Sequence, residues 1–432
     1  MSLKGEVFQK LTTAVDSADE TTLEGVQILA LAGSAVKNLN EGTDIEEDVY
    51  KIGKPGTLGF FQATARPEIL AVCGYIGLEG HDQITSPNYG NYADANGSIL
   101  VYIPKHYYKI DGNTIHYEDT QMVGYILDRA FINGGKEVNG IFTYKYGGSN
   151  ENGKFVSKKM QIPCSTNTAN NPIGNLNGTP ANNLGGVYEA VKTAGSQYAV
   201  TPVFVYSMLA RAAKTHGEAS TNQSVCAFID VAPLQPKGNN NNALADTNDS
   251  SVTFVGSGYS NCALTGSASN FAKTTHNGQE CGIADLNGNM YEIASGFTRT
   301  DVDGFLMLKD SVDVNSLDST TVKLAENYDV IDLSDVISGN DGWTDFGNGA
   351  NQVFEHNNIR TALGVCAATG HSVSGTTEFG NDGLYRYLRN EMVPGVGGSW
   401  ANGSNAGVFA LNVSSYFSHS SSYVGGRASV FV

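Results

Sequence analysis

Alternation of apolar and polar positions is clearest near the C-terminal end, where Phe409, Leu411 and Val413 fall on one face of an expected strand over 406–413. Two glycines in Gly397-Gly398-Ser399-Trp400 precede it and read as tight turns. Beyond Val413 the apolar period stops. The tract Ser414-Ser415-Tyr416-Phe417-Ser418-His419-Ser420-Ser421-Ser422-Tyr423 is a run of small hydroxyls broken by aromatics, and no charge follows until Arg427. Earlier, 97–110 is β-branched and aromatic and reads as a strand pair interrupted at Pro104. Thr201-Pro202 opens the clearest helix, with Thr at N-cap, Pro at N1, and Val203, Met208, Leu209 and Ala212 on the buried face. A second, weaker helix falls at 185–194. The spacing of Leu23, Val26, Leu29, Ala30, Val36 and Leu39 permits an amphipathic helix over 20–39, with Asp19 placed to cap it.

Punctuation at Gly42 and Pro55-Gly56 divides the chain into an expected module over 1–80 and a main domain over 81–432. The first segment would pack on the main domain, trimerise the chain or attach it to a larger particle. Three polar stretches, 147–183, 235–270 and 311–377, are long for structureless loops and read as insertions in the fold. The expected class is α+β with long polar inserts.

Composition narrows the function. Hydrophobic residues make up 41% of the chain, enough for a real core, while charged residues make up only 16% and Gly numbers 51. The net charge of -17 excludes the basic footprint that nucleic acid or an anionic membrane needs. None of the six cysteines (Cys73, Cys164, Cys226, Cys262, Cys281 and Cys366) sits in a CxxC pair, and they read as buried free thiols. The segment Met1–Glu6 lacks the charged-then-apolar start of a secretory signal, and no apolar run approaches the ~20 residues of a membrane span. The expectation is a product made in a cytoplasm and carried outside on something else, such as a virion.

The framework 397–412, the Ser/Tyr tract and the closing turn Val424-Gly425-Gly426-Arg427-Ala428 together resemble the variable proteins of diversity-generating retroelements. Those proteins are built on the C-type lectin fold of the formylglycine-generating-enzyme subtype. Ser98-Ile99-Leu100-Val101-Tyr102-Ile103-Pro104 is similar to the opening strand of that enzyme family, and Asp285-Leu286-Asn287-Gly288-Asn289-Met290-Tyr291-Glu292-Ile293 to its D-x-x-GN-x-WEW strand, with Tyr291 and Ile293 where tryptophans usually sit. The resemblance covers 97–432. It departs at Val396, where Arg commonly precedes GGSW, and at Gly426, where Phe is usual. Ala401, Ser414, Ser415, His419, Ser421 and Tyr423 stand where family templates read Asn. An Asn codon randomised at its two adenines yields Ser, Tyr, His, Phe, Ala or Gly and never a stop.

The resemblance implies a C-type lectin-like domain with a variable region at about 391–427, displayed for target recognition on a phage tail or a cell surface. The ligand-contact set it implies is Ala401, Asn402, Asn405, Ser414, Ser415, Tyr416, Phe417, His419, Ser421 and Tyr423. Tyr416, Phe417 and Tyr423 would act as aromatic anchors, and the serines and His419 as hydrogen-bonding partners. Trp400 and Arg427 occupy framework positions and are expected to brace the fold, and Glu292 to accept hydrogen bonds within it. The expected partner is a cell-surface protein or glycan receptor, with no nucleic acid and no membrane insertion. A homo-oligomer, in particular a trimer, or contact with other virion proteins stays open. Formylglycine-generating enzymes bind copper through a cysteine pair near the C-terminus, and 385–432 contains no cysteine, so a non-enzymatic reading is preferred. His356, His371 and His419 show no ligand spacing for iron. No cofactor is expected, although acidic stretches at 301–303 and 341–345 leave a structural calcium open. Two alternatives remain: a static lectin-like or structural virion protein, and an oxygen-dependent enzyme of the formylglycine-generating type.

Overall fold

Two six-stranded sheets carry the architecture of the computed structural model. It describes residues 47–432 apart from 112–113, 228–251, 256–258, 260–261, 268–270, 287, 333–341, 346–382 and 403–405. The helix expected over 20–39, most of the 235–270 insert, Cys366 and Asn405 lie outside the described residues. The presence of both helices and sheets gives an α+β class, as the pattern implied.

The first sheet is antiparallel throughout, in the spatial order Ile76–Gly77, Asn91–Ala93, Ile99–Pro104, Gly140–Tyr144, Ala428–Phe431, Ala199–Val200. The last strand of the chain is therefore inserted between two earlier ones. The sheet begins with a strand from the expected N-terminal module, so a boundary at residue 80 does not hold. Phe60, Phe61, Ile69, Leu70 and Tyr75 sit in the same core cluster as Leu100, Val101 and Ile103. These few large side chains lie among turns and polar residues, which hides their common destination from a reading of local pattern.

Pro104 ends its strand as expected, but the two halves of 97–110 join different sheets. Tyr107–Asp111 pairs instead with Thr114–Glu118 and Ile126–Leu127 in a separate three-stranded sheet. The 147–183 insert carries its own hairpin, Ser149–Glu151 with Lys154–Val156, whose Phe155 is buried in the core.

The helix Val203–Ala219 is buried at every position from Val203 to Gly217, far more than the one-sided burial its pattern implied. Its capping also differs from expectation. Pro202 is the N-cap residue, and the Thr201 hydroxyl hydrogen-bonds Ser429 Oγ at 2.9 Å instead of capping. The start is held by Val203 N–H donating to Ser295 O at 2.8 Å. Total burial brings Arg211 inside, where its guanidinium ion-pairs with Asp128 and donates to Ser207 Oγ at 2.7 Å. The weaker helix is present as Val187–Lys192. Among the described residues no helix is long and apolar enough to cross a membrane.

The second sheet is mixed, in the order Gly342–Asp345, Gly383–Arg386, Leu411–Tyr416, Met392–Val396, Tyr291–Ile293, Val424–Gly426. The two sheets are joined covalently at one residue, Arg427, between Val424–Gly426 and Ala428–Phe431. Its Nε and Nη2 donate to the two oxygens of Glu292, each at 2.7 Å. Its remaining donors reach Tyr144 O and Ala284 O at 2.6 Å each, and Tyr206 O–H donates to Glu292 at 2.7 Å. A fully buried charge is tolerable only when paired and hydrogen-bonded like this. Arg427 thus braces the fold and Glu292 accepts within it, as their framework positions implied.

Candidate functional site

The second sheet positions the Ser/Tyr tract. Its strand Leu411–Tyr416 starts inside the apolar framework and runs on into the tract, so the strand lies later than the expected 406–413. Leu411 and Val413 are buried against the core, while Asn412 and Ser414 between them are partly exposed. The alternation resets at a bulge, where the pairing shifts between Val393 and Gly395 and the tract strand carries one extra residue. Pro394 lies at that shift and has no N–H to give a ladder. Past the bulge, Ser415 is half-buried and Tyr416 exposed.

The glycines before the tract answer a geometric demand. Gly397 and Gly398 both adopt φ of +84°, and a Cβ on Gly398 would lie 2.5 Å from the Cβ of Ala406. This turn seats Trp400, 7% exposed, whose ring meets Tyr259 edge-on at 5.8 Å. Trp400 is thus a core residue. Gly395 meets a different demand, since a Cβ there would sit 3.3 Å from the Tyr291 ring. The bare backbone lets Tyr291 lie across it toward Asn412, the cross-strand partner of Gly395.

Two exposed patches result, at opposite ends of the tract strand. One contains Tyr416, stacked on His419 at 5.7 Å, with Ser415 Oγ 3.3 Å from His419 Nδ1. Partial burial, followed by the nearby Arg389 charge, holds the His419 pKa below its ordinary value. The other contains Tyr423, 37% exposed, whose ring is edge-on to Trp400 at 6.1 Å and tilted toward Tyr291 at 6.4 Å. Ala401 is exposed and Asn402 half-buried beside it. The strand between these ends spans six residues, about 17 Å at ~3.3 Å per residue.

Two expected contact residues do not face outward. Phe417 is 3% exposed and belongs to the core cluster, where its ring lies 6.2 Å from Tyr188 and beneath the Lys323 ammonium. Its backbone carbonyl also accepts from Gly185 N–H at 2.9 Å. Ser421 is 6% exposed, with its N–H and C=O both bound to Thr166 Oγ1. Both residues lie in the return loop after Tyr416, which is tied down to the 147–183 insert and the following helix.

Reading the sequence missed Asn412, Tyr291 and Tyr385. Asn412 Oδ1 accepts from Ser414 N–H at 2.8 Å and Ser414 Oγ at 2.6 Å. Tyr385 is its cross-strand neighbour on the other side. All three stand outside the Ser/Tyr tract, and only cross-strand register brings them to it; Tyr291 in a tryptophan position was the one available signal. The acidic stretch at 301–303 is already engaged, with Asp301 paired to Arg299 at 2.6 Å and Asp303 accepting from Thr300 Oγ1 at 2.9 Å. Among the described residues no group of three or more His, Cys, Asp or Glu is placed to hold a metal ion. Compared with known proteins, the chain matches no family model and no curated sequence.

Proposed function

We propose that this chain is a non-enzymatic ligand-binding protein that presents a diversified surface for target recognition, as a variable protein of a retroelement does on its C-type lectin-like domain. The observation that carries this reading is the division of labour along Leu411–Tyr416. Leu411 and Val413 anchor the backbone in the core, while Asn412 and Ser414 between them are partly exposed and Tyr416 beyond is open to solvent. Changing outward side chains leaves the anchors untouched, whereas changing a core position typically costs ~0.5–3 kcal/mol of a total stability of only ~5–15 kcal/mol. Tyr supplies rigid contact area and Ser adaptable hydrogen bonds at small entropic cost. The display would be on a virion tail or a cell surface, and many copies would raise avidity without any new contact.

Sequencing the DNA downstream of the gene tests the reading. A near-copy of the last ~100 bases, differing only at adenines and lying beside a reverse-transcriptase gene, is the expected result. Variation among isolates should fall on Ala401, Ser414, Ser415, Tyr416, His419 and Tyr423, with only apolar exchange at Phe417. Isolates that vary evenly along the domain, with no such copy, would leave a static lectin-like virion protein as the better account.

A further inference from the structure

We propose that the Tyr423 end of this surface takes an uncharged, hydroxyl-rich ligand, a neutral glycan; this rests on the reading of that face as the recognition surface. The first argument is charge. From Met392 to Gly426 the chain contains no Asp, Glu, Lys or Arg, although the whole protein carries a net charge of -17. The flanking charge that closes this stretch, Arg427, is buried and consumed by Glu292. A sialylated or phosphorylated ligand would find no countercharge in it.

The second argument is the arrangement of rings and amides. Tyr423 is held by Trp400 on one side and Tyr291 on another, so it offers a fixed, partly exposed aromatic plate. The apolar C–H face of a sugar ring stacks on such a plate while the phenol edge stays available to a hydroxyl. Beside it stand two primary amides with matching local roles. Asn402 Oδ1 accepts from Ser399 N–H at 2.7 Å and Ser399 Oγ at 2.8 Å, as Asn412 Oδ1 accepts from Ser414. With both oxygens engaged, the amides turn their Nδ2 groups toward the Tyr291 hydroxyl.

The third argument is an incomplete hydrogen-bond set. The Tyr291 hydroxyl is buried against both amides, and among the described residues it has no fully formed hydrogen bond. Buried polar groups ordinarily find partners, and one left without them is destabilising. A ligand hydroxyl seated on Asn402 and Asn412 both accepts from their Nδ2 groups and donates onward, which draws the amides and the phenol into one network. Hydroxyls serve as donor and acceptor at once, and a polyol presents several on one ring.

A printed array carrying neutral, sialylated and phosphorylated oligosaccharides, probed with the full-length protein, tests this. The expected result is binding confined to neutral glycans and reduced at least tenfold by Tyr423→Ala, in a variant that stays folded with a moderately lowered denaturation midpoint. Tyr291→Phe should weaken the same binding several-fold without loss of stability, since it removes an unsatisfied buried hydroxyl; a merely structural tyrosine would lower the midpoint and leave affinity alone. A blank array, or binding only to charged glycans, overturns the proposal. Adsorption to target cells separates the two levels of inference. Protease-sensitive adsorption that Tyr423→Ala abolishes would make the ligand a protein and leave the recognition surface standing. Adsorption indifferent both to Tyr423→Ala and to serine exchange of Tyr416 would remove the surface itself.

Discussion

Replacing Phe417 by Ser should destabilise the protein far more than the same change at Tyr416, although the two are adjacent in one hydroxyl-rich tract. Phe417 is 3% exposed and packs with Tyr188 and the backbone at Gly185, close enough that a Cβ added there would lie 3.5 Å from ring atom Cδ1. A phenylalanine buries about 200 Å² on folding, worth roughly 5 kcal/mol at ~25 cal/mol per Å². Residual compactness of the unfolded chain trims this by ~10–40%, to about 3–4.5 kcal/mol. The result agrees with the ~3–5 kcal/mol typical of emptying a buried aromatic site. Loss of the Lys323 ammonium lying 5.0 Å from the ring centroid adds about 0.5 kcal/mol. Tyr416 is 40% exposed and contacts chiefly His419, so its exchange should cost under about 1 kcal/mol. Tyr423 should fall between, since it keeps contact with Trp400 and Tyr291. Equilibrium guanidinium denaturation of the three single Ser variants measures this directly, with the Phe417→Ser midpoint well below the others at similar slope. Equal midpoints for Phe417→Ser and Tyr416→Ser would refute the division into anchored and displayed residues.

Removing one partner of the Arg427–Glu292 pair, as in Arg427→Met, should cost about 3–5 kcal/mol because it strands a buried carboxylate; a loss under about 1 kcal/mol by the same assay would show that the clamp contributes little. Burial depresses the pKa values of His106, His216 and His276 to about 4, 4 and 3. The unfolded chain, with histidines near 6.5, therefore binds more protons below that pH. Stability should be complete above about pH 6.5 and fall as the pH drops toward 4, by up to ~1.4 kcal/mol per unit per histidine. Denaturation midpoints between pH 7.5 and 4.5 check this, and a flat profile contradicts the buried neutral state. Cys164, Cys226, Cys262 and Cys281 are buried, so a thiol reagent should leave them unlabelled in the native state and label them in guanidinium, with half-buried Cys73 reacting slowly in between.

Local pattern carried a good part of the fold. The strand ending at Pro104, the helix after Pro202 and the turn at Gly397-Gly398 were all legible, because proline geometry and glycine φ values are properties of single residues. The framework standing of Trp400, Glu292 and Arg427 was legible too, through the resemblance, and the structure supplies its cause in burial and bidentate pairing. Burial within the tract was not legible. Nothing in Tyr416-Phe417 distinguishes a displayed ring from an anchored one, since both are aromatics among serines. The bulge opposite Pro394 and the return loop hydrogen-bonded to Thr166, Leu184 and Gly185 make that choice.

The chain's own chemistry thus dictated its α+β character, an uncharged hydroxyl-and-aromatic stretch, and the turns that flank it. Each follows from residue type and short-range geometry. Tertiary structure alone decided that residues 47–80 share the main core, that the helix Val203–Ala219 is enclosed on all sides, and that Tyr291 and Asn412 join Tyr423. Those outcomes depend on pairings between segments more than a hundred residues apart, such as Tyr291 with Val424 or Ile141 with Phe431. Such pairings are selected by the packing of the whole core, and no local window of sequence contains both partners.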